Sequence, residues 1–376
     1  MDVKHNSAGE KPLVLHVVAT LAFGGLERHM ETIALHRAAS SMIHVFCAIG
    51  NGGAMEQRLL SIGVEVICLG KPFRIPSISA VLALCRLIRR LRPRVVQSHG
   101  SEPNFHALLA AWLCRVPARV GEEIGIPDHG RIARIAFRAV YGMAHRVFGV
   151  SQTVADWLVQ SGEVPLRKVQ RLYCPVVLPE LRQEQSNDHS AFRLVNVGRL
   201  EPSKRLDTLV DVVRNLRAEG VPAELWLIGD GSQRQMLEHK VRESGIAKHV
   251  QFHGFQREPE QLMRQCDIFV LACLSEGFGL AMVEAMGCGL PVVATSTGGP
   301  GEIIEDGLTG WLLSEVTERQ LTDTLLMAFR AGPEALRMMG RSARASVERR
   351  FCGDAYLAEL DSIYTDLAKA GAEIST

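Results

Sequence analysis

The sequence predicts an α/β protein with two domains, each a parallel β-sheet covered by helices. The chain has 376 residues, and a chain of this length usually divides between two hydrophobic cores. Short apolar runs alternate with segments of helical periodicity from end to end, which is typical of repeated β-α units and parallel sheets. A further helix with an apolar stripe follows the second series of strands, so it must find another surface to cover.

The first half of the chain contains six predicted strands, with a predicted helix after each. The strands are the apolar runs at 13–19, 44–50, 64–70, 95–100, 118–123 and 147–151. The helices lie at 26–39, 54–62, 77–91, 103–115, 131–145 and 152–160. We predict that residues 1–178 form the first domain, a Rossmann-like unit.

A segment rich in proline and polar residues separates the two series. Residues 175–193 contain Pro175, Pro179 and the polar run RQEQSNDHS, which favours a linker. The second series of strands follows at 193–199, 223–230, 250–255, 268–274 and 291–296. We predict a second Rossmann-like domain over residues 190–350.

The last predicted helix, at 351–376, has one apolar face. Its apolar residues recur at helical spacing: Tyr356, Leu360, Ile363, Tyr364 and Leu367. Because the second sheet is already complete, this stripe needs a different partner. We predict that the helix crosses back and packs on the first domain.

Composition places the chain among ordinary globular proteins, with 47% hydrophobic and 22% charged residues. The nine cysteines are scattered singly, without a C-x-x-C pair, which favours reduced thiols over disulfides or a zinc site. The first twelve residues are polar, so we expect no signal peptide. No apolar run approaches the length of a membrane span. We expect a cytoplasmic protein that is at most attached to a membrane surface.

The charge is unevenly distributed although the net charge is only +1. Residues 1–175 carry 21 Lys and Arg against 12 Asp and Glu. This excess indicates that the first domain faces something anionic, such as the inner surface of the cytoplasmic membrane. Basic residues do not alternate with aromatic ones, so no nucleic-acid partner is expected.

One predicted helix combines positive charge with apolar residues. Arg131, Arg134 and Arg138 recur at i, i+3 and i+7, and Ile132 and Ile135 lie among them. Two interpretations remain open. The helix either docks on an anionic membrane, or it is an ordinary amphipathic helix with a solvated basic face and an apolar face in the core.

The densest motif lies at 275–284, after the strand that ends near Leu274. Two glycines, Gly277 and Gly279, allow the backbone to approach a ligand closely, and a helix begins near Leu280. Free N–H groups and the helix dipole at that point suit a diphosphate. Glu284 lies one turn into the helix, suitably placed for a ribose, and Glu276 lies on the loop. The alternative is a plain strand-loop-helix junction.

Two cations precede this motif on another loop after a strand. Arg199 supplies a planar fork for phosphate oxygens, and Lys204 supplies a point charge. The alternative is that both are solvated surface residues. No D-x-D sequence occurs, so no obvious carboxylate pair presents Mg²⁺ to a diphosphate.

Together these motifs resemble the retaining glycosyltransferases of family 4, whose fold is called GT-B. The matching elements are G-G-x-E at 24–27, the strand ending at His99, V-G-R-L-x-x-x-K at 197–204, I-G-D-G at 228–231 and E-G-F-G-L-x-x-x-E at 276–284. The similarity covers about residues 13–350. It implies two Rossmann-like domains facing across a cleft.

The resemblance also implies a role for each matching residue. Arg199 and Lys204 would hold the diphosphate, Glu284 the ribose, and Glu276 the transferred sugar. His99 would bind a sugar hydroxyl or stabilise positive charge on the ring. The remaining residues would present main-chain groups to the phosphates, the sugar or the acceptor: Gly24, Gly25, Gly277, Phe278, Gly279 and Leu280. Phe255 and Gln256 are weaker candidates for a base pocket.

The activity implied is that of a metal-independent, retaining hexosyltransferase without a cofactor. The donor would be a nucleoside-diphosphate sugar, and the acceptor a hydroxyl of a glycan, a lipid-linked molecule or a small molecule, in bacterial surface polysaccharide or glycoconjugate synthesis. Arg199, Lys204 and the helix dipole would stabilise the leaving diphosphate in place of a metal ion.

Other classes of enzyme share this architecture. An NAD-linked dehydrogenase is disfavoured because Gly229-Asp230-Gly231 is followed by Arg234 where a third glycine belongs. A nucleotide-sugar epimerase or a sugar phosphorylase of the same fold remains an alternative, and so does a non-catalytic partner protein. Release of a free nucleoside diphosphate distinguishes transfer from these alternatives.

Overall fold

The computed structural model describes residues 11–22, 24–179 and 191–373. The chain divides into two compact units. One comprises residues 1–175 together with the last helix, and the other is Val176–Cys352. Most of the predicted linker, at 180–190, lies outside the described residues.

The first unit contains a seven-stranded, all-parallel sheet. Its strands are β1 (Leu13–Val18), β2 (Ile43–Ala48), β3 (Glu65–Cys68), β4 (Val95–His99), β5 (Ala118–Glu123), β6 (Arg146–Gly149) and β7 (Val169–Arg171). They pair in the order β3-β2-β1-β4-β5-β6-β7. Six of the seven were predicted, and β7 is an additional three-residue edge strand.

Helices connect these strands. They are α1 (Gly25–Leu35), α2 (Ala54–Ile62), α3 (Ile78–Leu91), α4 (Ser101–Leu113), α5 (Arg131–Gly142) and α6 (Gln152–Gln160). Serine side chains cap two of them: Ser77 accepts from Ala80 N–H and Ser151 from Val154 N–H. Helix α4 begins two residues before its predicted start, because Pro103 falls in the first turn, where no N–H is needed.

The core of the first unit follows the alternation of β1. Val14 and Val18 face one side of the sheet and pack with α1, α2 and the last helix, whereas Leu15 and Val17 face the other side and pack with α3 and α4. Both faces of the sheet are therefore covered by helices.

The last helix, Gly353–Glu373, belongs to this first unit. Its buried residues Tyr356, Leu360 and Tyr364 lie in the same apolar cluster as Val14 and Val18. The predicted crossing back to the first domain is confirmed.

The second unit contains a six-stranded, all-parallel sheet. Its strands are β8 (Phe192–Val197), β9 (Ala223–Ile228), β10 (Val250–Gly254), β11 (Ile268–Leu271), β12 (Val292–Thr295) and β13 (Gly310–Leu313). Its helices are α7 (Leu206–Ala218), α8 (Arg234–Glu243), α9 (Glu260–Met263), α10 (Leu280–Gly287), α11 (Pro300–Ile303) and α12 (Glu318–Arg350). Helix α12 is interrupted at Gly332, where φ is 84° and Pro333 follows.

The two sheets share one topology. In the second, the strands pair in the order β10-β9-β8-β11-β12-β13. In each sheet the first strand of the chain lies in the middle. The next two strands are added on one side of it, and the later strands on the other side. The change of side lies between β1 and β4 in the first unit and between β8 and β11 in the second. In doubly wound sheets, ligands bind beyond the carboxyl ends of the strands at this switch point. The predicted α/β fold of two Rossmann-like domains is confirmed.

Candidate functional site

The predicted donor-site residues lie at the switch point of the second sheet. Arg199 and Lys204 follow β8, and the loop that contains Glu276 follows β11. These two strands are neighbours that pair in parallel. Two loops far apart in the sequence therefore emerge side by side at the carboxyl edge of the sheet.

The structure brings two of these side chains into contact. Lys204 Nζ donates to Glu276 Oε2 at 2.5 Å, and both side chains are partly exposed. Arg199 lies exposed earlier on the same loop as Lys204. The site thus presents two cations and one carboxylate to solvent, with the lysine and the carboxylate already paired.

The loop before α10 has the conformation that an anion site needs. Gly279 has φ 88°, a left-handed conformation that glycine adopts without strain, and it precedes Leu280, the first residue of the helix. Gly279, the residue before the helix, has no side chain with which to cap its first N–H groups. Phe278 is buried and packs edge-on against Phe351, with ring centroids 5.6 Å apart, which anchors the loop.

A second loop, which contains Gly298 and Gly299, packs against the backbone of Glu276. A Cβ atom at Gly298 would lie 2.0 Å from the Glu276 carbonyl oxygen, and one at Gly299 would lie 2.5 Å from that of Phe278. The Gly299 N–H donates to the Glu276 carbonyl at 3.0 Å. Glycine is therefore required at 298 and 299, because any side chain would push the 276–278 backbone away.

The glycines after β9 support the other loop in the same way. A Cβ atom at Gly229 would lie 1.9 Å from the Gly198 carbonyl oxygen, and one at Gly231 would lie 2.6 Å from that of Leu200. The segment 229–231 therefore positions the loop of Arg199, and these contacts explain its glycines without a dinucleotide fingerprint.

The remaining donor-site candidates differ in exposure. Glu284 is buried, with 8% of its surface exposed, one turn inside α10. Phe255 is 46% exposed after β10, and the Gln256 side-chain amide donates to the His253 carbonyl.

The candidates in the first unit lie at the switch point of its own sheet. Gly24 and Gly25 lie at the start of α1, which follows β1, and His99 is the last residue of β4. His99 is fully buried, with its Nδ1 against the Glu122 carboxylate and its Nε2 3.1 Å from His16 Nδ1. A hydrogen bond from His99 to a sugar would require one of these partners to give way.

Sequence reasoning missed two carboxylates at the end of β5. Burial raises the pKa of Glu123 to about 7, although hydrogen bonds from Tyr141, Asn104 and Ser101 oppose the rise. Burial also pushes the pKa of Glu122 upward, but the imidazoles of His99 and His29 outweigh it, so its pKa is lowered. The sequence does indicate them, because this strand ends in two glutamates and ligands bind beyond the carboxyl ends of parallel strands.

Two family models match successive parts of the chain. The model described as Glycosyltransferase Family 4 matches residues 23–178. The model described as Glycosyl transferases group 1 matches residues 178–346.

Curated relatives align with parts of the chain. N-acetyl-alpha-D-glucosaminyl L-malate synthase of Bacillus anthracis is 29% identical over 200 residues, 53% of this chain and 52% of its own length. The amylovoran biosynthesis glycosyltransferase AmsK of Erwinia amylovora is 31% identical over 171 residues, 43% of this chain and 42% of its own. The chain thus spans about half the length of the curated relatives it matches.

Solved structures match nearly the whole chain in fold. HepE of Anabaena, crystallised with UDP and glucose, superposes with a TM-score of 0.81 at 19% identity, covering 94% of this chain and 100% of its own. Sucrose-phosphate synthase of Thermosynechococcus elongatus gives 0.78 at 16% identity, covering 96% of this chain and 100% of its own. The chain has the GT-B fold and belongs to glycosyltransferase family 4.

Proposed function

We propose that the protein transfers a sugar from a nucleoside-diphosphate sugar to a hydroxyl acceptor, with retention of anomeric configuration and without a metal ion. The observation that carries this proposal is the convergence of Arg199, Lys204, the start of α10 after Gly279 and Glu276 at one switch point. Cations beside free helix N–H groups suit a diphosphate, and the nearby carboxylate suits sugar hydroxyls.

Each group has a defined task in this proposal. Arg199, Lys204 and the α10 dipole stabilise charge that develops on the diphosphate as it leaves. Lys204 is already positioned by Glu276, so the donor phosphate binds a cation whose side chain is partly ordered. Glu276 then holds the sugar, and Glu284 holds the ribose. A phosphate oxygen of the donor accepts the proton of the attacking hydroxyl, which approaches from the side that the diphosphate leaves.

The comparisons support a nucleotide donor and a polysaccharide context. HepE was crystallised with UDP-glucose, and relatives include proteins named for amylovoran and colanic acid biosynthesis. We therefore propose a hexosyl donor and an acceptor that is a growing or lipid-linked glycan.

The proposal is tested by measuring free UDP and GDP after incubation with a panel of uridine and guanosine sugars, with and without bacterial lipid-linked glycan acceptors. We expect release from one donor, accelerated by acceptor. Conversion of the donor to an epimer, or acceptor-independent formation of a sugar phosphate, would contradict transfer.

A second proposal is that the first unit docks on an anionic membrane through α5, at the cytoplasmic face. Ile132 and Ile135 are 86% and 73% exposed, and they share this surface with exposed Arg131, Arg134 and Arg138. The helix uses Phe137, Val140 and Tyr141 to cover its own core, so the two isoleucines are not needed there. Among the described residues, no helix is long and apolar enough to cross a bilayer.

A further inference from the structure

A row of three buried histidines crosses one face of the first sheet. His44 lies on β2, His16 on β1 and His99 at the end of β4. His16 Nε2 lies 2.8 Å from His44 Nδ1, and His16 Nδ1 lies 3.1 Å from His99 Nε2. Both nitrogens of the central ring are therefore used, and each neighbouring ring contributes one nitrogen.

The row continues at both ends into carboxylates. His44 Nε2 lies 2.8 Å from Ser40 Oγ, which lies 2.8 Å from Asp361 Oδ1 on the last helix. At the other end, His99 Nδ1 contacts the Glu122 carboxylate. One unbroken chain of hydrogen bonds thus runs from Asp361 to Glu122.

The direction of one hydrogen bond in this chain fixes the direction of the next. A neutral imidazole donates from one nitrogen and accepts at the other. Asp361 receives the Ser41 N–H at 2.5 Å, the Ser41 hydroxyl at 2.8 Å and the Ser40 hydroxyl. Three convergent donors favour a carboxylate at this position. The proton of Ser40 is then committed to Asp361, so Ser40 Oγ must accept from His44 Nε2–H.

The remaining protons follow from this assignment. His44 Nδ1 must accept, so His16 donates from Nε2. His16 Nδ1 must then accept, so His99 also donates from Nε2. The contact between His99 Nδ1 and Glu122 needs one further proton. Between a carboxylate and an imidazole in direct contact, the imidazole is ordinarily the stronger base, so this proton lies on the ring of His99. The lowered pKa of Glu122 agrees with an ionised carboxylate.

We infer that Asp361, Ser40, His44 and His16 form a proton relay that holds His99 as an imidazolium, paired with the Glu122 carboxylate at the carboxyl end of β4. The relay makes Asp361, His44 and His16 positioning residues for His99. The relay follows from contacts within the first unit and does not depend on the proposed function.

The chain has a second state with the same number of protons. If four protons each move one link, from His99 Nε2 to His16, His16 to His44, His44 to Ser40 and Ser40 to Asp361, then His99 and Asp361 both become neutral. His99 would then donate from Nδ1 to Glu122. The additional donors from Ser41 oppose this state, because they stabilise Asp361 as the anion.

Other polar groups face the relay but do not interrupt it. The His29 ring lies edge-on to His99, with centroids 5.8 Å apart, and its Nε2 contacts the Tyr356 hydroxyl. The Tyr364 hydroxyl contacts Gln97, and Lys11 donates to the Ser40 carbonyl. The thiol of Cys174 also lies near Glu122. Burial lowers the pKa of His44 to about 4 and also lowers that of His16, in keeping with two neutral rings near pH 7.

The relay is tested on the full chain labelled with ¹⁵N-histidine, by long-range ¹H–¹⁵N correlation spectra that report which ring nitrogens carry protons. At pH 7 we expect His16 and His44 to be neutral and protonated at Nε2, and His99 to be protonated at both nitrogens. Neutral His99 protonated only at Nδ1, with His16 and His44 also protonated at Nδ1, would overturn the inference.

A substitution at the far end of the relay supplies a sharper test. In Asp361→Asn the new amide can donate to Ser40, so we expect the protonated nitrogen of His44 and His16 to change from Nε2 to Nδ1 and the imidazolium signature of His99 to disappear. Asp354→Asn is the matched control on the same helix, since the described hydrogen bonds of Asp354 are to His36, which is not a member of the relay. Unchanged ring tautomers in a folded Asp361→Asn protein would contradict the relay.

These spectra need no donor or acceptor. The relay can therefore fail while transfer is observed, or persist in a protein that transfers nothing, and the two proposals are separable.

Discussion

Lys204 and Glu276 contact each other although the family resemblance gives them different ligands. In the proposed mechanism, a cation held by a carboxylate is ordered before the diphosphate arrives, and the carboxylate is left beside the sugar. The sequence indicated both residues, because each lies in a motif at the end of a strand. Their contact depends on β8 and β11 being neighbours in the sheet, which spacing along the chain does not specify.

The donor site predicts a graded response to substitution. Arg199→Ala or Lys204→Ala should lower turnover by roughly 10²–10³, the loss typical when one charge-stabilising group is removed. Glu284→Ala should mainly weaken donor binding. The measurements are initial rates of nucleoside-diphosphate release and donor affinity by calorimetry.

Arg319→Ala is the control for these variants, because Arg319 is a highly exposed arginine on α12 that pairs with Asp323 within its own helix. It should behave as wild type. Near-normal turnover in both folded cation variants would show that the diphosphate binds elsewhere.

Glu123 predicts a pH dependence of stability. Its pKa is raised from the ordinary 4.5 to about 7 in the folded protein, so the folded state binds the proton more tightly than the unfolded state. The free energy of unfolding contributed by this group therefore falls as the pH rises from 4.5 to 7. Glu123→Gln, which resembles the protonated acid, should be more stable than wild type at pH 8 and show little difference at pH 4.

Thermal unfolding across this pH range measures the effect. Glu65→Gln, at an exposed position on β3, is the control. Its stability should vary with pH in the same way as that of the wild-type protein. A Glu123→Gln protein with the same pH profile as wild type would show that Glu123 is ionised normally in the fold.

At the scale of secondary-structure elements, the sequence predicted every strand except two short ones at sheet edges. The apolar runs of β1, β4, β8 and β11 are distinct because these strands are buried on both faces. Strands β7 and β13 have three and four residues and lie at sheet edges, where a short strand leaves little periodic signal.

Helix α5 shows where pattern and packing diverge. Periodicity identified its arginines, but the pattern allowed all of its apolar residues to face the core. Phe137, Val140 and Tyr141 are the α5 residues buried in the core, whereas Ile132 and Ile135 are exposed. The docking proposal gains its support from that difference.

The α5 surface predicts salt-sensitive membrane binding. The protein should co-sediment with vesicles that contain phosphatidylglycerol at low salt and dissociate at high salt, since cations near anionic lipid contribute about 1 kcal/mol each. Changing Arg131, Arg134 and Arg138 to Ser should abolish binding, and Ile132→Ser with Ile135→Ser should weaken it.

Changing three exposed arginines of α12, Arg319, Arg337 and Arg341, to Ser alters the net charge equally and should leave vesicle binding intact. If both triple variants lose binding to the same degree, net charge rather than α5 is responsible. Failure of the wild-type protein to bind at low salt would refute docking.

At the scale of the whole molecule, the division of the chain into two α/β units was readable from the sequence, and so was the return of the last helix. Its stripe of Tyr356, Leu360 and Tyr364 had no partner left in the second sheet. The polar contacts of the same helix were not readable. Asp361 gave no signal by itself, because its role depends on Ser40 and His44 meeting it across the fold.

Charge neutralisation by Arg199 and Lys204 predicts that transfer needs no divalent cation. Nucleoside-diphosphate release should persist in excess EDTA, and added Mg²⁺ or Mn²⁺ should change the rate little. The same assay on Lys204→Ala, with and without added Mg²⁺, shows whether a metal ion can replace the charge of the lysine. Activity lost in EDTA and restored by either ion would contradict the role assigned to the two cations.

Retaining transfer from a nucleotide sugar is tested most directly by NMR of the reaction with a ¹³C-labelled α-linked donor. We expect the donor anomeric signal to decay faster when acceptor is present, and a new α-glycosidic signal to replace it as free nucleoside diphosphate accumulates. A β-glycosidic product, or labelled sugar that ends as an epimer or a sugar phosphate, would contradict it.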